Sequence, residues 1–154
     1  MTTVGIRTRT LLGSVGDGVG SSGRARYSAH LYFPALLIVT VEGEVDATNC
    51  RDVARYVERQ LQPTTQLLLD LREVGFFSAQ GFSALHFISV CCTRSDVDWV
   101  VVGGRDIVRL LGILDPDHVL PLAADFDSAC EHLERLVCRR YPIPGADVRE
   151  TGLN

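Results

Sequence analysis

The chain contains no lysine, and it also lacks several features that would indicate catalysis or a membrane. All 15 basic residues among the 154 are arginines, which excludes a Schiff base or a lysine general base. No apolar run approaches the roughly 18 residues that a membrane-spanning helix needs. The formal net charge of −4 gives no general attraction for nucleic acid. The sequence therefore predicts a cytoplasmic protein that binds neither nucleic acid nor a membrane.

The residues most often used for catalysis or metal binding form no recognisable set. The four histidines fall on different predicted elements, and no pair has the spacing of a metal site. The five cysteines are an odd number with no secretory signal, so reduced thiols are expected, and Cys91 and Cys92 are interpreted as small core residues. The Gly-x-Ser-x-Gly elbow of a nucleophilic serine is absent. We therefore expect no enzyme, no metal and no cofactor.

The sequence does contain a regular alternation of strand and helix patterns between two tails. Residues 1–26 and 140–154 have compositions typical of loose segments, the first rich in glycine, serine and arginine. Residues 27–139 predict the order β-β-α-β-α-β-α-β-α, with the carboxylates of Asp106 and Asp127 placed to cap helices. This alternation is typical of an α/β domain with a mainly parallel, mixed sheet and right-handed crossovers. Four to five strands and about four helices are expected, with the first two strands paired as an antiparallel hairpin.

The most informative stretch is Leu67–Cys92, in which a strand leads through a turn of small residues into a helix. The unbroken run of leucines that opens it indicates a strand buried on both faces. Ser78–Gly81 reads Ser-Ala-Gln-Gly, and the apolar residues after it recur at helical spacing. Ser78 is placed where an N-cap hydroxyl is expected. The first turn of this helix is therefore predicted to be exposed and able to receive a partner.

Three motifs, taken in their order and spacing, resemble the STAS domain, the fold of bacterial anti-sigma factor antagonists. Val41–Asp46 is similar to the family's Gly-Glu-Leu-Asp sequence before its first helix. Leu69–Leu71 is similar to its Leu-Asp-Leu strand end, and Ser78–Gly81 corresponds to its switch turn. The resemblance covers about residues 27–139. It implies a non-catalytic regulatory protein that binds an anti-sigma factor, often a serine kinase, and so controls transcription.

The switch turn departs from the family at its central position. The family usually has Asp-Ser-Ser-Gly, and its first serine is phosphorylated, whereas Ala79 stands at that position here. The resemblance therefore implies partner binding without the usual phosphorylation switch, and Ser78 is left as a candidate displaced phosphosite. If Phe82 faces outward, it would be a natural interface anchor. The predicted contact surface consists of Asp46, Ser78, Ala79, Gln80, Gly81, Phe82, Ser83 and His86.

Two other classes of function remain open from the sequence. A small-ligand or nucleotide sensor would use a helix N-terminus, for which Gly103-Gly104 before the third helix is the natural position. A scaffold subunit would be a structural copy within a larger signalling assembly, and its degenerate switch turn would mark it as such. A shift in thermal stability with phosphate or nucleotide would favour the sensor, and a large native mass would favour the scaffold.

Overall fold

The computed structural model describes residues 19–32, 35–62 and 65–140. Most of the predicted N-terminal tail and nearly all of the predicted C-terminal tail lie outside these ranges. The described elements, in chain order, are β1 (Val19–Ser22), β2 (Ala25–Tyr32), β3 (Leu36–Val45), α1 (Cys50–Gln60), β4 (Gln66–Phe77), α2 (Ala79–Arg94), β5 (Asp98–Gly103), α3 (Arg105–Leu114), β6 (Leu122–Ala123) and α4 (Phe126–Arg140).

The strands form one mixed sheet in the order β1-β2-β3-β4-β5-β6. The pairs β1–β2 and β2–β3 are antiparallel, and the three remaining pairs are parallel. The predicted α/β class and the mixed sheet are confirmed. The antiparallel pairing of the first two predicted strands, which are β2 and β3 here, is confirmed as well. The sheet has six strands rather than four to five, because Val19–Ser22 forms a strand inside the predicted tail. Its sequence, Val-Gly-Ser-Ser, is too short and polar to show a strand pattern.

The helices lie on both faces of the sheet. Helices α1, α2 and α3 pack on one face around the larger apolar cluster, and α4 packs on the other face around a smaller one. Strand β4 supplies both clusters, since Leu67 and Leu69 point into the first and Leu68 into the second. Alternate residues of a strand face opposite sides, so the predicted burial of this strand on both faces is confirmed. No helix in the described ranges is both long and apolar enough to cross a membrane.

Strand β4 is longer than its neighbour β5 and carries the chain beyond it. Its pairing with β5 ends at Leu71, while residues 73–77 continue to pair with β3 alone. Two register shifts interrupt the β3–β4 pairing. Near the second shift Gly43 has φ +94°, and a Cβ there would lie 2.0 Å from the carbonyl oxygen of Arg24. This two-stranded extension brings the end of β4 next to the end of β3.

The helix starts differ from the expected caps. Asp106 is the second residue of α3, which follows Gly104. At α4, the side chain that accepts a bond is that of Asp125, not Asp127: its Oδ1 accepts the backbone N–H of Ser128 at 2.7 Å. Residue patterns locate a helix start only to within a residue or two when several carboxylates occur together.

Candidate functional site

The turn predicted to receive a partner is a single residue between β4 and α2. Ser78 occupies the N-cap position, and its backbone N–H donates to the carbonyl oxygen of Val45 at 2.9 Å. That bond joins the turn to the end of β3, directly before Asp46. The fold therefore brings together two parts of the predicted contact surface, the Asp46 loop and the start of α2, which are far apart in sequence.

The Asp46 loop is held by local hydrogen bonds. The Oδ1 of Asp46 accepts the backbone N–H of Thr48 at 2.8 Å and its hydroxyl at 2.5 Å. Both bonds lower the pKa of Asp46, and the bond from the hydroxyl has the larger effect. Asn49, only 1% exposed, fixes the same loop: its Oδ1 accepts the backbone N–H of Asp46, and its Nδ2 donates to the carbonyls of Ser22 and Glu44. The loop is thus set by side chains before any partner binds.

Gly81 has a packing role beneath the surface. A Cβ at Gly81 would lie 2.7 to 2.9 Å from three ring carbons of Phe77, closer than real Cβ contacts come. The residue is buried. The packing explains why this position has no side chain, and the place of Gly81 in the contact surface stays a prediction. Gly81 allows the Phe77 ring to pack against the first turn of α2.

The hydroxyl of Ser78 does not form the expected N-cap bond. Its Oγ is buried and has no hydrogen-bond partner in the described part of the chain. A buried hydroxyl without a partner lowers stability. A kinase also cannot reach this oxygen unless the side chain first turns outward, so the geometry disfavours Ser78 as a phosphate acceptor in the folded state.

The other predicted contact residues divide between two sides of α2. Ala79, Gln80 and Ser83 are exposed. Phe82 is partly buried against the larger apolar cluster and contacts His86 edge to face, with ring centroids 4.5 Å apart. Phe82 therefore packs inward and does not provide the exposed anchor that the sequence suggested.

Two apolar residues that sequence reasoning missed are exposed on the same side of α2 as Ala79 and Ser83. Phe87 is 43% exposed and Val90 is 48% exposed. With helical spacing, Ala79, Ser83, Phe87 and Val90 share one side, which we call the uncharged strip. A signal was present in the sequence, because α2 carries no aspartate, glutamate or arginine before Arg94. An ordinary surface helix has charged residues on its outward face.

An open groove of about 910 Å³ runs between α1 and α2. Arg51 and Arg55 line it on the α1 side, and Gln80, Ser83 and Phe87 line it on the α2 side. The uncharged strip therefore forms part of one wall of this groove. Gln80 and Ser83, two of the exposed residues of the predicted contact surface, line its α2 wall together with the missed Phe87.

The other residues considered for chemistry are the cysteines, the possible metal ligands and the Gly-Gly sequence before α3. Cys91 and Cys92 are buried, as predicted, and burial raises the pKa of Cys92 to about 12, which keeps its thiol protonated. Within the described residues, no group of three or more histidine, cysteine, aspartate or glutamate side chains is placed to hold a metal ion. A Cβ at Gly103 would lie only 2.6 Å from Cγ2 of Ile107, so a larger residue would clash at this position. The Gly-Gly sequence is thus explained in part by packing.

The Leu-Asp-Leu motif ends in an ion pair that holds the sheet to α4. Asp70 is 6% exposed, and both its oxygens accept from the guanidinium of Arg72, at 2.9 and 2.8 Å. The same guanidinium lies 5.0 Å from the ring centroid of Phe126, the first residue of α4. This geometry combines a two-point charge pair with a cation–π contact. It lies on the sheet face opposite the groove.

Comparison with known proteins places the chain in a family. The STAS domain model matches residues 32–129. Osmosensory protein A of Mycobacterium tuberculosis is 30% identical over 132 residues, which is 83% of each chain. The crystal structure of an anti-sigma factor antagonist from Mycobacterium paratuberculosis superimposes with a TM-score of 0.61, covering 75% of this chain and 99% of that one. Its 19% sequence identity makes this a likeness of fold.

Proposed function

The chain belongs to the STAS domain family, and we propose that it is a non-catalytic regulatory protein that acts as an anti-sigma factor antagonist. In this proposal it binds an anti-sigma factor, or a related kinase-like protein, and thereby frees a sigma factor for transcription. The solved neighbour carries that description, and the family supports the same class. The observation that carries the proposal is the uncharged strip on α2, which begins directly at the switch turn.

The strip has the composition of an interface centre. The buried centres of protein interfaces are poor in charge and rich in aromatic side chains. Phe87 supplies an exposed aromatic ring, and Ala79 and Ser83 leave room for a partner to approach the helix. Because these side chains are exposed and uncharged, they support an external contact on this side of α2.

Ala79 makes this binding permanent in our proposal. A phosphate at this position would add about −1.5 to −2 charges beside the uncharged strip and oppose docking. Alanine has no oxygen to accept it, and the neighbouring Ser78 hydroxyl is buried. Control would then come from the amount of this protein or of its partner, and not from phosphorylation at the turn.

The test is affinity capture from an extract of the native organism, with mass spectrometry of the bound proteins. The baits are the unchanged chain, Ala79→Asp and Ser83→Arg. Val137→Asp, which adds the same charge as Ala79→Asp on the exposed side of α4, is the control. We expect an anti-sigma factor to be recovered with the unchanged chain and the control, and to be lost with the other two variants.

The captured anti-sigma factor is then purified and its Kd measured with each variant. Full affinity for Ser83→Arg, or capture of no anti-sigma factor by any bait, would contradict the proposal. Phosphopeptide mapping of the recovered bait addresses Ser78 directly. Phosphate on Ser78 in the folded protein would show that the switch has moved by one residue.

A further inference from the structure

The two walls of the groove between α1 and α2 differ in charge. On α1, Arg51 and Arg55 are exposed and four residues apart, so their side chains lie one turn apart on the same side. In the described part of the chain, neither guanidinium has a carboxylate within 4.0 Å, although five other arginines do. The α2 wall carries no charge.

Two carboxylates also line the groove, but each already has a neighbour. Asp52 accepts the hydroxyl of Ser22 at 2.5 Å, on the side of α1 that faces β1. Glu58 lies beside the thiol of Cys91, whose pKa is raised by burial and then by this carboxylate. Each carboxylate thus accepts a hydrogen bond from a neutral group of the protein, whereas the exposed guanidinium groups of Arg51 and Arg55 have no carboxylate within 4.0 Å in the described residues.

The floor of the groove is apolar, and the α2 wall is uncharged. Ala54 and Ala84 line the groove between the helices, and neither fills the space with a long side chain. Phe87 also lines the groove, and it is 43% exposed. The short alanine side chains leave room beside the Phe87 ring for an apolar side chain of a partner. Amphipathic helices dock into apolar grooves in this way.

We propose that this groove binds an acidic amphipathic segment of the protein partner, with two carboxylates one helical turn apart on Arg51 and Arg55 and an apolar side chain against Phe87. Arginine favours this pairing because its planar guanidinium can bind both oxygens of one carboxylate. The inference rests on the proposed function, since it names the chemistry of the partner at the same helix.

Charge also separates this occupant from the N-terminal residues of the chain itself. Those residues carry Arg7 and Arg9, which would bring like charges to Arg51 and Arg55. A second copy of the chain is the other occupant to be distinguished, because α4 carries carboxylates of its own, such as Glu131 and Glu134. The test separates these occupants.

The probe is a fluorescein-labelled amphipathic peptide with glutamates four residues apart on one side and leucines on the other. A matched peptide has lysines in place of the glutamates. By fluorescence anisotropy we expect the acidic peptide to bind about tenfold or more tightly than the lysine peptide, and the difference to shrink at high salt. Equal affinities would overturn the proposal.

Matched variants locate the binding. Arg55→Glu changes an arginine in the groove, and Arg59→Glu makes the same change on α1 outside the groove lining. We expect Arg55→Glu to remove the preference for the acidic peptide and Phe87→Ser to weaken both peptides, while Arg59→Glu has little effect. Equal losses for Arg55→Glu and Arg59→Glu would mean that only overall charge is sensed, which would overturn the proposal.

The captured partner separates failure of this inference from failure of the proposed function. If Ser83→Arg abolishes partner binding and Arg55→Glu leaves the Kd unchanged, the antagonist function stands and the acidic segment is wrong. If neither change affects the partner, the function assigned to α2 fails as well. Sedimentation equilibrium is the last control, since a dimer that Arg55→Glu dissociates would make a second copy the occupant and overturn the inference.

Discussion

Helices α1 and α2 pack side by side on the same face of the sheet, but they differ at their starts and on their outward sides. The start of α1 is fixed by Asn49, whose amide has three hydrogen bonds, whereas the hydroxyl of Ser78 at the start of α2 has none in the described structure. The outward side of α1 is charged, and that of α2 bears exposed Phe87. Both helices contribute buried residues to the same apolar cluster, so their difference lies at their starts and on their outward sides. This difference supports the proposal that α2 is the helix that contacts a partner.

The two sides of α2 are expected to respond very differently to truncation. Leu85 is 2% exposed in the core, and Leu85→Ala should lower the free energy of unfolding by about 2–4 kcal/mol. Phe87→Ala on the outward side should lower it by less than about 1 kcal/mol, because much of that ring is already in water. Urea denaturation of both variants measures this. A large loss for Phe87→Ala would mean that the strip serves the fold.

The helix starts give the next largest contrast. Asn49→Ala removes the three hydrogen bonds of a buried amide and should lower the free energy of unfolding by about 2–3 kcal/mol. Ser78→Ala removes a hydroxyl without a partner and should leave stability unchanged or raise it by up to about 1 kcal/mol. The two variants are compared by urea midpoint at neutral pH. A clear loss of stability in Ser78→Ala would mean that the Ser78 hydroxyl does form a stabilising hydrogen bond.

Two glycines inside helices provide a smaller, matched pair. A Cβ on Gly112 of α3 would meet nothing within 4 Å, so Gly112→Ala should stabilise the protein by about 0.5–1 kcal/mol through helix propensity. Gly81→Ala must displace the Phe77 ring and should destabilise it by about 1 kcal/mol in spite of the same propensity gain. Thermal unfolding should shift in opposite directions. Equal shifts would remove the packing explanation for Gly81.

The smallest effect concerns the start of α4, where the carboxylate of Asp125 accepts the backbone N–H of Ser128. The backbone N–H of Ser128, followed by its hydroxyl, lowers the pKa of Asp125. A lowered folded pKa gives stability that is present above the unfolded value of about 3.9 and is lost as pH falls through the folded value. Asp125→Ala should therefore lower the urea midpoint at pH 7, and the difference should vanish in acid. A difference that persists in acid would exclude this cap as its source.

The sequence was sufficient for the order of elements because periodicity distinguishes strands from helices. It also indicated that β4 is buried on both faces, since Leu67, Leu68 and Leu69 leave no polar side. It could not reveal β1, because Ser21 and Ser22 join the sheet through backbone bonds that leave no apolar pattern. Pairing with β2 alone makes Val19–Ser22 a strand.

For the candidate site, the sequence indicated the turn but not the orientation of the helix that follows it. Helix α2 has apolar residues on all sides, so periodicity could not separate inward Phe82 from outward Phe87. The roles of Gly81 and Ser78 depend on the Phe77 ring and on the end of β3, which are brought close only by the folded chain.

The direct joining of β4 to α2 has a kinetic consequence. With Ser78 as the sole residue between a strand and a helix, a partner that docks here meets no loop that must first become ordered. The entropy lost on association is then confined largely to side chains and to the relative motion of the two proteins. We therefore expect rigid-body association, with a rate set by diffusion and orientation and with no slow unimolecular phase.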